Sequence, residues 1–174
     1  MAAVVFSGRG RRGPTLVQAP TAFSGPAFLS PGWLSLVQIV QIVTGSTTTM
    51  QQTGSTTRAD TGLTATITPT STLSRILICA TQAFQSYDVS AGGSSSVGGD
   101  LVLLRDTTNI INMTLNGGNG WNSTVSYCGI DSPSTLASVT YKTQYAVSAS
   151  PGVNDRTRVQ YSSAQSSIVL MELA

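Results

Sequence analysis

Residues 63–69 read LTATITP, so that Leu63, Ala65 and Ile67 alternate with Thr64, Thr66 and Thr68. In an extended chain successive side chains point to opposite faces, which gives this run one dry face and one hydroxyl face. Pro69 then ends the pairing, and Ser71, Thr72 and Ser74 supply a turn before RILICATQAF (75–84), a more deeply buried strand. Further strand-like runs are LSLVQIVQIV (34–43), LVLLRD (101–106), NIINMTL (109–115), STVSYCGID (123–131), SVTYKTQYAVS (138–148), TRVQYSS (157–163) and SSIVLMELA (166–174). GSTTTMQQTGSTT reads as a polar link or a hydroxyl-rich strand, and no window has a convincing period of 3.6. About eight or nine short strands with turn signals between them make an all-β chain, an antiparallel sandwich or barrel. A chain that ends inside its last strand suits a strand in the middle of a sheet.

The loops are marked by glycine. DVSAGGSSSVGGD (88–100) is the most obvious flexible tip, and NGGNGWN places Trp121 at the end of a second loop. Trp121 and Tyr87, with residues 88–99, form a candidate receptor- or sugar-binding tip. The plainer reading is that Trp121 caps one end of the sandwich or packs at a subunit interface.

How such a surface stays in solution is a matter of composition. Only 9% of residues are charged, against a usual quarter or so. There are 24 serines and 24 threonines. Hydroxyls replace charge on the wet faces, and a neutral hydroxyl costs far less to cover with another subunit than an unpaired ion does.

The first 33 residues differ from the rest. Pro14, Pro20, Pro26 and Pro31 fall there, with Phe23, Phe28, Leu29 and Trp33 between or beside them. Proline fixes φ and removes a donor, so a long helix or a central strand is excluded. The expected organisation is an extended arm over 1–33 that becomes ordered on a neighbour, followed by the sandwich over 34–174. Residues 1–57 carry Arg9, Arg11 and Arg12 before any acid appears, and the first carboxylate is Asp60. Three cations without interleaved aromatics are few for a nucleic-acid site, so protein contact is the preferred reading of this cluster. Its short apolar start has no signal-peptide pattern, no run is long enough to span a bilayer, and synthesis in a cytoplasm is the expectation.

Chemistry is scarce. With no histidine anywhere, Ser-His-Asp and Cys-His arrangements are excluded, and the commonest metal ligand is missing. Asp88, Asp100, Asp106, Asp131 and Asp155 are expected at strand ends and turns, not as a catalytic pair. No catalytic residue, cofactor or metal site is expected. Cys79 and Cys128 stand in strand-like runs; they could pair, and two small buried thiols is the favoured reading.

Four blocks, DTGLTATITPTSTLSRILI (60–78), LVLLRD (101–106), GIDSPSTLASVTYKTQYA (129–146) and SSIVLMELA (166–174), occur in this order in a set of phage proteins. Over about residues 34–174 the chain resembles the virion β-sandwich domain of head decoration proteins, spikes and tail fibres from phages of cyanobacteria and other aquatic bacteria. The resemblance implies a jelly-roll sandwich, similar to the C1q and tumour-necrosis-factor knobs, that forms homotrimers and has no catalytic role. The short chain, with an arm and no shaft of repeats, points to a capsid cement or decoration protein. Arg9, Arg11, Arg12, Phe23, Phe28, Leu29 and Trp33 would then contact the major capsid protein. The alternative is a receptor- or glycan-binding knob of a tail or head fibre.

Overall fold

A computed structural model describes residues 37–89, 97–117, 120–148 and 154–174, with no side-chain account for 116 and 117. Ten strands are present among them: β1 (Ile39–Thr47), β2 (Gln51–Thr53), β3 (Ala59–Ile67), β4 (Arg75–Asp88), β5 (Val97–Arg105), β6 (Thr108–Gly117), β7 (Trp121–Asp131), β8 (Val139–Val147), β9 (Asp155–Val159) and β10 (Ser166–Leu173). That exceeds the eight or nine expected, because Gln51–Thr53 pairs with β9 as a short strand of its own.

Sheet A runs β1-β10-β4, with β7 on the far side of β4; β9 and β2 continue beside the second half of β4. Sheet B runs β3-β8-β5-β6. All pairs are antiparallel, and the chain crosses repeatedly from one sheet to the other, as in a jelly roll. The last strand, β10, lies between β1 and β4, as its position at the chain end suggested.

The period-two expectation for β3 holds: Leu63, Ala65 and Ile67 are buried while Thr64, Thr66 and Thr68 are exposed. With Ile76, Ile78 and Ala80 of β4, Leu103 of β5, Val139 and Tyr141 of β8, and Ile168 and Leu170 of β10 they make the larger apolar cluster. A smaller one joins Phe84, Leu101, Tyr145 and Val159. Gly98 and Gly99 belong to β5 and are buried, so residues 97–100 of the expected 88–100 loop are strand. A Cβ on Gly99 would lie 2.3 Å from Cζ of Phe84, which is why the residue there has no side chain. Asp100 likewise sits inside β5 and not at a turn. Residues 90–96 lie outside the described residues.

Between the two clusters runs a belt of fully buried polar side chains. Thr61 shares the inward face of Leu63 by the same alternation, and the register of β3 shifts beside it, between Asp60 and Thr64, where Gly62 adopts φ 81. The Thr143 hydroxyl donates to Oε1 of Gln82 (2.9 Å), which leaves the Thr61 hydroxyl as donor in its 2.6 Å contact with Thr143. Gln82 Nε2 donates to Ser166 Oγ (2.9 Å), which also accepts from the Ala83 N–H (3.0 Å). The Gln160 amide completes the chain when its nitrogen donates to the carbonyls of Thr49 (3.0 Å) and Thr61 (3.3 Å) and its oxygen accepts from Ser166 and Gln82. Every partner in this run is used, the condition under which a buried polar network is tolerated.

One end of the sandwich is closed by two carboxylates. Burial alone would raise the carboxyl of Glu172. The facing Ser74 hydroxyl, the Gln41 amide (2.6 Å) and the Thr70 N–H and hydroxyl (2.7 Å each) outweigh it and hold the pKa at about 2. Asp131 at the end of β7 accepts from Arg105 (2.7 Å) and from the Tyr141 hydroxyl (2.7 Å), joining sheet A to sheet B. Burial, reinforced by that carboxylate, pushes the Tyr141 pKa up.

Candidate interaction face

The outer faces of the two sheets differ in kind. On sheet B, Asp60 accepts from Gln144 (2.7 Å) and pairs with Lys142 (3.1 Å). Thr66 meets Thr140 (2.9 Å), and Arg58 reaches across to Asn112 (3.0 Å). These hydroxyls, amides and the ion pair surround Val102 and Leu104, which the register puts on the same outer face and which are buried there.

Sheet A is built otherwise. Pairing registers align Ile42 with Met171, Met171 with Leu77, and Leu77 with Ile130, one row across β1, β10, β4 and β7. The next row is Thr44, Val169, Cys79 and Cys128; the one after is Ser46, Ser167, Thr81 and Ser126. Directly opposite side chains share a face, and rows two residues apart are separated by about 7 Å. All of these lie on the face away from the core, because Ile76, Ile78, Ala80, Ile168 and Leu170 between them point inward. Ile42 is 57% and Ile130 53% exposed, and no residue of the three rows is charged. Ile39 and Val40, at the register shift of β1, are exposed as well.

Cys79 and Cys128 are directly opposite, 4.2 Å apart at Cα, and are joined as a disulfide. The favoured expectation of two small buried thiols is therefore corrected: Cys79 is half-buried and Cys128 exposed on the outer face. Only the register of two strands separated by 49 positions puts them side by side, and neither run announces it.

The far half of this face is polar and aromatic. Gln52, Arg158, Gln85 and Asn122 form a row across β2, β9, β4 and β7. Arg158 lies over the rings of Tyr87 (4.1 Å) and Tyr161 (4.3 Å) and donates through Nε to Gln85. The Tyr87 hydroxyl donates to Gln52 (2.6 Å).

Trp121 is not part of that cluster. It pairs with Ser86, a buried position of β4, and packs against Phe84, Leu101, Tyr145 and Val159. Tyr87 is the next residue and points the other way. The structure thus does not bring Trp121 and Tyr87 together into one tip, since alternation along β4 puts them on opposite faces of sheet A. Trp121 closes the end of the smaller cluster, the plainer of the two sequence readings. Arg9, Arg11, Arg12, Phe23, Phe28, Leu29 and Trp33 lie outside the described residues.

Among the described residues no group of three His, Cys, Asp or Glu is placed to hold a metal ion, and no helix is long and apolar enough to cross a membrane.

No family model matches the chain, and no curated protein matches it. Among solved structures, the chain aligns over 79% of its length with 37% of a chain from the 2.6 Å structure of infectious bursal virus derived T=1 particles. The TM-score is 0.39 and the identity 13%. The chain thus spans little more than a third of that longer chain, and a likeness at this level carries no argument about role.

Proposed function

We propose that this chain is a structural protein of a phage virion that self-associates, as a homotrimer, through the outer face of sheet A. In this role it acts as a capsid cement or decoration protein, gripping the major capsid protein through the arm before residue 34. The observation that carries the reading is the set of aligned, uncharged rows from Ile42 to Ile130 and from Thr44 to Cys128. An uncharged row in which Ile42 and Ile130 are exposed and Met171 and Leu77 half-buried between them is what a surface built to be covered looks like. Covering it with a second copy removes apolar area from water at about 25 cal/mol per Å² and strands no ion.

Self-association also supplies what a short arm lacks. Three copies present three arms at once, so weak contacts by Arg9, Arg11, Arg12 and the apolar residues between the prolines add up through avidity. A protein that binds only the assembled shell stabilises that shell by mass action. The role needs no catalytic step and no cofactor.

The test is binding of the purified chain to shells that lack it, followed by counting copies per particle. The proposal expects hundreds of copies, and loss of binding with retained self-association when residues 1–33 are deleted. A truncated chain that still decorates shells at full occupancy contradicts the role given to the arm.

A further inference from the structure

The polar half of the sheet A face contains a shallow groove of about 270 Å³, lined by Ala83, Phe84, Asn122, Ser123, Thr124, Tyr161 and Ala164. We infer that this groove is a binding site for a neutral pyranose, taken against the Tyr161 ring, as the terminal unit of a surface polysaccharide would present it.

The inference starts from the backbone. Gln160, Ser162 and Ser163 all have side chains, yet sit at φ 53, 54 and 59 in the left-handed region. Such a conformation is costly without glycine and persists only where the surroundings over-determine it. Here they do. The Gln160 side chain is locked into the buried belt, its N–H donates to the Ala83 carbonyl (3.1 Å), and Ser163 and Ala164 close back on Gln160 (3.1 Å) and Tyr161 (3.0 Å). The product of this constraint is one feature, an exposed Tyr161 held out over the sheet.

Its ring is also fixed from the side. Arg158, itself over Tyr87 and bonded to Gln85, lies over it at 4.3 Å from the ring centroid. What remains of the ring forms a wall of the groove, and the edge strand β7 forms the other with Asn122, Ser123 and Thr124.

The lining selects the ligand class. The side chains it turns to the outer face are an aromatic ring, one amide, the Thr124 hydroxyl and two alanine methyls, with no formal charge, while Phe84 and Ser123 pair across β4 and β7 with their side chains on the core face. A pyranose offers the matching parts, an apolar C–H face and a rim of hydroxyls that both donate and accept. Arg158 is not in the lining, but its charge lies 4.3 Å from the Tyr161 ring, which makes an anionic sugar the decisive comparison. The volume is slightly below the roughly 300–1,000 Å³ of clefts that enclose a drug-sized ligand, so one or two rings at a chain end fit better than a long oligomer. Ala83 lies six residues along β4 from Leu77, about 20 Å from the apolar row. The site therefore stands apart from that row and does not rest on self-association.

The test is saturation-transfer NMR of the full chain with the methyl glycosides of glucose, galactose, mannose and N-acetylglucosamine, and with methyl glucuronide as the charged comparison. Transfer to at least one neutral glycoside is expected, falling at least fivefold in Tyr161→Ala and persisting in Tyr161→Phe. Thr124→Lys, which fills the groove from the other wall and leaves the turn intact, should abolish it too. No transfer from any of the four neutral probes overturns the inference, and a second copy covering the groove would give that result. Transfer that survives both Tyr161→Ala and Thr124→Lys, or that is stronger with the glucuronide, overturns it equally.

Discussion

Replacing Thr143 by valine keeps the shape of the side chain and removes its hydroxyl from the middle of the buried belt. Oε1 of Gln82, 2.9 Å away, loses its donor, and the Thr61 hydroxyl, 2.6 Å away, loses its acceptor while keeping the bond it accepts from the Leu63 N–H (3.0 Å). Gln82 is 1% and Thr61 0% exposed, so water does not replace what is lost. An orphaned buried polar group costs about 1–3 kcal/mol, and the added methyl returns at most about 0.8 kcal/mol. The net expectation for Thr143→Val is a loss of about 2–4 kcal/mol. Urea unfolding at one fixed chain concentration measures it, because self-association makes the midpoint depend on concentration. With a slope of about 2 kcal/mol per molar urea the midpoint falls by about 1–2 M. The pair Thr61→Val and Thr143→Val should cost less together than the sum of the two, by about 1 kcal/mol, because the bond between the two hydroxyls is lost once and not twice; the Leu63 N–H bond to Thr61 is lost in Thr61→Val alone and in the pair alike. A Thr143→Val midpoint within 0.3 M of the parent (roughly 0.5 kcal/mol), or strict additivity in the pair, would refute the belt as a closed network.

Three further outcomes follow from single features. The disulfide closes a loop of 49 positions, so reducing it, or replacing Cys79 and Cys128 by serine, should lower unfolding stability by about 2–4 kcal/mol in denaturant titrations. The pKa of Glu172 is lowered from 4.5 to about 2 on folding, so its contribution is complete above the unfolded value and is lost as pH falls from about 5 toward 2. The full shift corresponds to about 3 kcal/mol, and solvent screening at the end of the sandwich reduces this to about 1–2 kcal/mol; Glu172→Gln should flatten that part of the stability profile. Gly99→Ala should destabilise by about 1–3 kcal/mol through the clash with Phe84, and adding Phe84→Leu should recover part of the loss, read as paired thermal midpoints.

Much of the sandwich was legible in the sequence because alternation is a local signal. The β3 run sorts itself into Leu63, Ala65 and Ile67 against the threonines without knowledge of its partner, and β10 is placed near the centre by its apolar run at the chain end. What was not legible depends on register between distant strands. Thr61, Gln82, Thr143 and Ser166 look like ordinary wet-face residues one at a time. They become a buried belt only when four strands bring them to one level. The row Ile42, Met171, Leu77 and Ile130 is likewise drawn from four separate runs, each with an outward apolar residue that means little alone. Cys79 and Cys128 misled for the same reason: small thiols in strands favour burial on average, and register placed these two outward and opposite. Tyr87 and Trp121 both flank loops and so read as neighbours in the sequence, while the one-residue offset along β4 separates them by a whole sheet. Gly98 and Gly99 read as loop because glycine usually punctuates, while at Gly99 it yields space to the Phe84 ring.

The most direct test of self-association through sheet A is the solution mass of the full chain by sedimentation equilibrium at micromolar concentration, alone and with Leu77→Asp. The account predicts a mass near three times the 18.0 kDa of one chain, and a single-chain mass for Leu77→Asp with the far-ultraviolet spectrum of the sandwich retained. A parent protein that sediments as one chain, or a trimer indifferent to a carboxylate in the middle of the apolar row, would contradict it.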